Sequence, residues 1–282
     1  MIICHKKEEL RHVLDGLALK NQTLGFVPTM GALHEGHLSL IDKGLQENAK
    51  MVVSIFVNPT QFDNASDLKK YPRTLESDIE MLKSLSEDIL VYAPTVEDVY
   101  GDAIASETFD FDGLEHQMEG KFRKGHFDGV GTIVKRLFEI VKPDFAYFGE
   151  KDFQQLRIIQ KLVEKHNLGV TVVGCDIFRA EDGLAMSSRN QRLTKEHREV
   201  APFIFQTLTA AKAHFGTENA EEVTKWVEEQ FKKHELLELE YFTIADEETL
   251  QPVETKEKSK SYRAFIAVFA GDIRLIDNIA LN

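Results

Sequence analysis

Cysteine, positive charge and long apolar runs are all in short supply in this sequence. Only Cys4 and Cys175 occur in 282 residues, so no disulfide framework is expected. Lysine and arginine total 34 against 47 aspartate and glutamate, a formal net charge of −13. That balance argues against general binding to nucleic acid or to an anionic membrane, both of which need a basic surface. No apolar stretch approaches the roughly 20 residues of a membrane helix. The opening MIICHKKEELRHVL turns charged too soon to read as a secretory signal, and a cytoplasmic location fits. No G-x-x-x-x-G-K-[ST] occurs, which excludes a P-loop, and no repeat or low-complexity tract is visible. What remains is 43% hydrophobic and 29% charged, the composition of a soluble globular protein of one large or two modest domains.

The most informative stretch runs over residues 23–42, TLGFVPTMGALHEGHLSLID. Residues 23–27 form a short apolar run suited to a central strand, and Pro28, which has no N–H, is expected to end it. Met30, Gly31 and Ala32 are small or flexible enough for backbone to approach a ligand. From Gly36 onward Leu38, Ile41 and Leu45 fall at helical spacing. His34 and His37 are thereby delivered to a helix N-terminus at a strand's carboxyl end, where free N–H groups and the helix dipole favour anions. On its own the H-x-G-H pattern is open to three readings. It fits surface histidines at an ordinary helix start, or part of a zinc site completed by a distant ligand. It also fits imidazoles that donate to phosphate oxygens as pyrophosphate leaves.

Elsewhere the pattern alternates. Residues 5–18 read as an amphipathic helix, 51–57 as a strand, 74–86 as a helix and 89–92 as a strand. An irregular insertion spans 93–125, followed by helix 129–141, strand 145–148, helix 151–167 and strand 170–173. The apolar run at 51–57 is continuous rather than alternating, as in a parallel strand covered on both faces. The class is α/β, a Rossmann-like doubly wound parallel sheet over residues 1–177. From 178 to 282 the order becomes helices (194–215, 219–233) and then strands (240–244, 262–269, 274–278). That indicates a smaller C-terminal α+β domain, with a charged, mobile-looking segment at 246–260 and a hinge that would let it act as a lid.

VPTMGALHEGHLSLI at 27–41 resembles the nucleotide-binding signature of the pantoate–β-alanine ligase family, a branch of the H-x-G-H nucleotidyltransferases. SIFVNPTQF (54–62), YPRT (71–74), FGEKDFQQL (148–156) and GLAMSSRN (183–190) match the same family in order and spacing. The match covers most of residues 23–194. By this resemblance the ATP site comprises Met30, Gly31, Ala32, Leu33, His34, Glu35, Gly36 and His37, together with Gly149, Glu150, Lys151 and Asp152. It continues through Phe178, Met186, Ser187, Ser188 and Arg189. The last segment takes the place of the K-M-S-K-S loop of class I aminoacyl-tRNA synthetases and is expected to close on the triphosphate. Phe178 stands where the family usually has a small aliphatic residue against adenine. Gln61 and Gln155 are expected to bind pantoate, with Asn58 and Tyr71 lining the pocket and Arg123 reaching a carboxylate or phosphate.

Taken alone, these side chains have plainer readings. Gln61 suits a strand-end turn, Asp152 a helix cap, SSRN a solvated loop and Arg123 a solvated basic loop; His126 reads as a helix-start residue rather than a catalyst. The resemblance implies an AMP-forming carbon–nitrogen ligase that takes ATP with Mg²⁺, pantoate and β-alanine through a pantoyl adenylate. His37, His34, Lys151, Ser187 and Arg189 are the expected catalytic groups, and the family implies a homodimer. An adenylyltransferase of the same superfamily and a non-catalytic nucleotide sensor are the alternatives.

Overall fold

The computed structural model describes residues 1–17, 22–62, 68–69 and 71–282. The end of the first expected helix lies outside that set, as do residues 63–67 and 70 between the expected strand 51–57 and helix 74–86. Among the described residues β1 (Ile2–Cys4), β2 (Leu24–Thr29), β3 (Lys50–Ile55), β4 (Leu90–Tyr92), β5 (Phe145–Gly149) and β6 (Thr171–Cys175) form one parallel sheet. Its order is β1-β4-β3-β2-β5-β6. The chain runs outward from β2 through β3 to β4, then returns to the other side of β2 with β5 and β6. The order therefore reverses between β2 and β5, where ligands of doubly wound sheets bind.

Burial shows why these segments are strands. Phe26, Val27, Met51, Val52 and Val53 are all fully buried, on both faces of the sheet. Phe26 meets Phe138 of helix His126–Val141 edge-on at 6.2 Å, while the adjacent Val27 joins a core with Leu40 and Ile41 of helix Glu35–Glu47. Alternate side chains of one strand thus pack against two different helix layers. The sheet and these helices belong to a first unit, Met1–Glu150 with Gln155–Asp176.

Pro28 does not end β2. It lies inside the strand opposite Ser54 of β3, and the strand continues to Thr29. Pairing with β5 covers only Gly25 and Phe26, so the missing N–H falls where the strand is paired on one side only. Helix His126–Val141 begins three residues before the apolar spacing indicates, behind Gly125 in the left-handed region. The helix expected from residue 151 starts at Phe153, after a 3₁₀ turn at Glu150–Asp152.

The second unit comprises Lys151–Gln154 and Ile177–Asn282. Its strands β7 (Leu237–Asp246), β8 (Tyr262–Ala270) and β9 (Ile273–Ala280) form an antiparallel sheet in that order. Helices Phe203–Phe215 and Ala220–Lys232 cover it, joining Leu208, Ala211, Val223 and Val227 to Ile266 and Val268 in one apolar core. The helix expected over 194–215 is two, Lys195–Val200 and Phe203–Phe215, with Pro202 at the break. The charged segment at 246–260 is tied down rather than loose. Lys256 donates to the carbonyls of Phe215 and Glu218 and lies 3.8 Å from the Phe215 ring centroid, and the Glu257 N–H donates to the Tyr262 hydroxyl at 2.7 Å.

Candidate active site

The turn after β2 is bent by two residues in the left-handed region, Gly31 (φ 80°) and Ala32 (φ 50°). A side chain at Gly31 would put its Cβ 3.0 Å from Asp78 Oδ2 and 3.2 Å from an Ile55 methyl, so space and backbone both call for glycine. The turn is held by acceptors placed beneath it. The Gly31 N–H donates to Thr29 Oγ1 (3.2 Å), and the Ala32 and Leu33 N–H groups donate to the two oxygens of Asp78 (3.1 and 2.8 Å). Asp78 is 1% exposed and also receives the Thr74 hydroxyl. These three amides are consequently engaged inside the protein and are not the ones left for an anion.

Helix Glu35–Glu47 follows, with His34 at its N-cap in extended conformation and no side chain capping it. The N–H groups of Glu35 and Gly36, in its first turn, have no intrahelical acceptor, and the helix dipole adds positive potential there. His34 and His37 are half-buried, with ring centroids 4.0 Å apart and planes inclined by 35°. The structure thus brings the two histidines together at the carboxyl end of β2, beside the point where strand order reverses.

One strand over, β3 leads into a 3₁₀ turn, Pro59–Gln61. Gln61 Nε2 donates to Met30 Sδ (3.2 Å) and its Oε1 accepts from Asn58 Nδ2 (3.0 Å), which ties this turn to the one carrying the histidines. Asn58 is 1% exposed; its Nδ2 also donates to the Gly129 carbonyl (3.2 Å), and its Oδ1 accepts from the hydroxyls of Tyr100 (2.5 Å) and Thr60 (3.1 Å). Burial pushes the Tyr100 phenol above its ordinary pKa, so it stays a neutral donor. Asn58 therefore orients Gln61. Gly129 lets the turn lie directly on helix His126–Val141, since a Cβ there would sit 2.4 Å from the Thr60 carbonyl oxygen. Arg123 contacts the His126 ring (3.1 Å) and the Gln61 carbonyl (3.3 Å), which also contacts His126 Nδ1 (2.9 Å). His126 is the first residue of its helix, and Tyr71 meets Phe62 edge-on at 5.6 Å.

On the other side of β2, β5 ends at Gly149 and continues into Glu150. Gln155 is half-buried in the first turn of helix Phe153–His166. Met30–His37, Gln61 and Gln155 thus leave from three neighbouring strands of one sheet. Cys175, at the end of β6, is 6% exposed, and burial drives its thiol up to about 11. It is no thiolate near neutral pH.

The remaining expected residues lie in the second unit. Lys151 is 16% exposed at its side chain, with Nζ 3.7 Å from Asp152 Oδ2. Residues 178–186 form a hairpin that leads into the SSRN segment. The Met186 N–H donates to the Phe178 carbonyl (3.0 Å), the Ala180 N–H to Leu184 (2.9 Å), and Gly183 turns the chain at φ 92°. The Phe178 side chain is 40% exposed. Ser187 caps a 3₁₀ turn, Ser188–Arg192, its Oγ accepting the Arg189 N–H (3.3 Å), and Asn190 Nδ2 donates to the Ala185 carbonyl (3.0 Å). Among the described residues the Arg189 guanidinium has no ion-pair partner.

Sequence reasoning missed Asp78, Arg179, Asp277 and Asn278. Asp78 carried a readable signal: it falls in phase with Leu75, Leu82 and Leu85 on an apolar stripe, where an acid is out of place. The other three act over distances in sequence that no local pattern reports.

A family model described as pantoate-beta-alanine ligase matches residues 2–280. The chain is 60% identical over 282 residues to a pantothenate synthetase of Flavobacterium psychrophilum and 57% identical to one of Christiangramia forsetii, covering all of both chains in each case. Among solved structures it is similar to the pantothenate synthetase of Thermus thermophilus, with 39% identity and a TM-score of 0.91 over 100% of this chain and 99% of that one. It is also similar to the pantoate-beta-alanine ligase of Francisella tularensis complexed with beta-gamma ATP and beta-alanine, with 37% identity and a TM-score of 0.81 over 100% and 98%.

Proposed function

The chain belongs to the pantoate–β-alanine ligase family, and on that premise we propose that it activates pantoate with ATP as a bound pantoyl adenylate and then passes the acyl group to β-alanine. In the first step a pantoate carboxylate oxygen attacks the α-phosphorus of ATP and the bond to the β,γ-diphosphate breaks, releasing pyrophosphate. In the second the β-alanine amine attacks the acyl carbon, the C–O bond to AMP breaks, and the amine loses a proton as the amide forms. No covalent enzyme intermediate is needed, in keeping with a Cys175 thiol held protonated by burial. Catalysis rests on holding the reactants in line and on stabilising charge as it develops.

The observation that carries this reading is the His34–His37 pair, 4.0 Å apart at an uncapped helix N-terminus beside the reversal of strand order. Two imidazoles and the Glu35 and Gly36 amides there form a compact donor set for a departing diphosphate. Gln61, fixed by Asn58 and Met30, and Gln155 supply neutral groups for pantoate, with Tyr71 and Arg123 around the same pocket. Lys151, Ser187 and Arg189 meet the phosphates; Glu150, Asp152, Phe178, Met186 and Ser188 complete the nucleotide site. Among the described residues no group of three or more His, Cys, Asp or Glu forms a metal site. In this reading Mg²⁺ enters as the companion of the substrate triphosphate, held chiefly by its oxygens. A cytoplasmic homodimer is part of the same proposal. No helix among the described residues is long and apolar enough to cross a membrane.

Pantoate-dependent exchange of labelled pyrophosphate into ATP tests the first step. The wild type is expected to exchange, and His37→Ala to lose roughly 100–1,000-fold in exchange rate, as for removal of one transition-state donor. Unchanged exchange in that variant removes His37 from the mechanism. Absence of exchange in the wild type removes the adenylate.

A further inference from the structure

Lys151 and the Ser187–Arg189 segment lie far apart in sequence, yet one buried polar network touches the supports of both. Arg179 makes a two-pronged ion pair with Asp277, NH1 to Oδ2 at 2.6 Å and NH2 to Oδ1 at 2.9 Å. Asp277 is 5% exposed, and its Oδ1 also accepts the Asn278 N–H at 2.8 Å. The Asn278 side chain is 1% exposed; its Nδ2 donates to the Lys151 carbonyl (2.9 Å) and its Oδ1 accepts from Arg263 NH1 (2.6 Å). Arg263 lies over the Phe153 ring at 3.9 Å, so the segment Lys151–Gln154 is fastened to β8 and β9 by a hydrogen bond and by a ring contact. At the other end Arg179 NH1 donates to the Gly183 carbonyl (3.1 Å), and the guanidinium stacks on Phe205 at 3.8 Å. Arg179 also bridges to Ala185 across the hairpin that leads into Met186–Arg189.

We infer that Arg179, Asp277 and Asn278 are positioning residues for adenylate formation, setting Lys151 and the Ser187–Arg189 segment at a fixed spacing so that both present their donors to one triphosphate. The inference rests on the proposed phosphate roles of Lys151, Ser187 and Arg189. The physical case is that a buried charge pair is a poor source of stability, because desolvation offsets its attraction. It does impose geometry, since a planar fork meets a carboxylate in one orientation. Here that geometry is applied between two stretches that carry candidate phosphate ligands.

The test uses the full-length enzyme and compares its two half-reactions. In Asp277→Asn, pantoate-dependent ATP–pyrophosphate exchange is expected to fall roughly 10–100-fold in kcat, the scale of a misplacement of about 1 Å, with KM for ATP moved far less. Aminolysis of supplied pantoyl adenylate by β-alanine should stay within about twofold, because no triphosphate takes part. A purely structural role lowers the active fraction and so depresses both half-reactions equally; that result overturns the inference. So does exchange at the wild-type rate. If Asp277→Asn does not fold, Arg179→Lys decides by the same two measurements, since it keeps the charge beside Asp277 but loses the fork. Wild-type enzyme that exchanges nothing refutes the underlying adenylate reading instead, which separates the two failures.

Discussion

The turn that carries the histidines and the segment that carries Arg189 are held in opposite ways. Beneath Gly31–Leu33 a single buried carboxylate, Asp78, takes two backbone amides. Around Met186–Asn190 the support is spread over several contacts, from the Phe178 and Ala185 carbonyls to the Arg179–Asp277 pair behind the hairpin. The first arrangement fixes a shape before any ligand arrives and concentrates its risk in one side chain. The second spreads its support and leaves a guanidinium without an ion pair among the described residues. A donor set for developing charge gains from the first; a cation that must reach a mobile triphosphate gains from the second.

Removing the keystone of the first turn should give the largest effect. Asp78→Ala strands two buried N–H groups at about 1–3 kcal/mol each, so a loss of roughly 2–6 kcal/mol is expected in urea denaturation. A loss below about 1 kcal/mol would mean that water or a shifted backbone replaces the carboxylate, and the contrast would fail. Gly129→Ala comes next. It drives a methyl against the Thr60 carbonyl and should cost about 1–3 kcal/mol by overpacking, with KM for pantoate rising as Gln61 is displaced. Arg189→Ala should leave stability within about 0.5 kcal/mol while lowering pyrophosphate exchange. A marked loss of stability there would show that Arg189 is part of the scaffold, as Asp78 is. The smallest effect concerns Cys175. Its raised pKa, about 11, keeps the thiol protonated at pH 8, so alkylation by iodoacetamide should be slow at that pH and quicken only as pH approaches 11, with activity at pH 8 unaffected. Fast alkylation accompanied by inactivation would reopen the question of a nucleophile.

Five of the six parallel strands were legible as short apolar runs, and the change of pattern after Cys175 marked the passage to helices followed by antiparallel strands; the edge strand Ile2–Cys4 was not read, because three residues with two of them exposed carry no pattern. The H-x-G-H turn was legible because its meaning is local: glycine, strand end, helix start. Pro28 misled because a proline stops a strand only where both edges are paired, and pairing with β5 has already ceased there. Pro202 lay in an apolar pattern that otherwise continues, and the helix break it causes is a backbone effect that periodicity does not register. The hydrogen bonds from Ala32 to Asp78 and from Asn278 to Lys151 join residues 46 and 127 positions apart, and only the folded chain shows them. Composition was similarly blunt. A net charge of −13 says little about a site where a few imidazoles and amides are collected at one helix end.

Adenylate formation, as proposed, bonds a carboxylate oxygen of pantoate to the α-phosphorus of ATP. Pantoate labelled with ¹⁸O in both carboxyl oxygens, converted to product with ATP and β-alanine, tests it in one mass spectrum. One labelled oxygen is expected in the released AMP and the other in the amide of the product. Label in inorganic phosphate, or AMP that carries none, would contradict it.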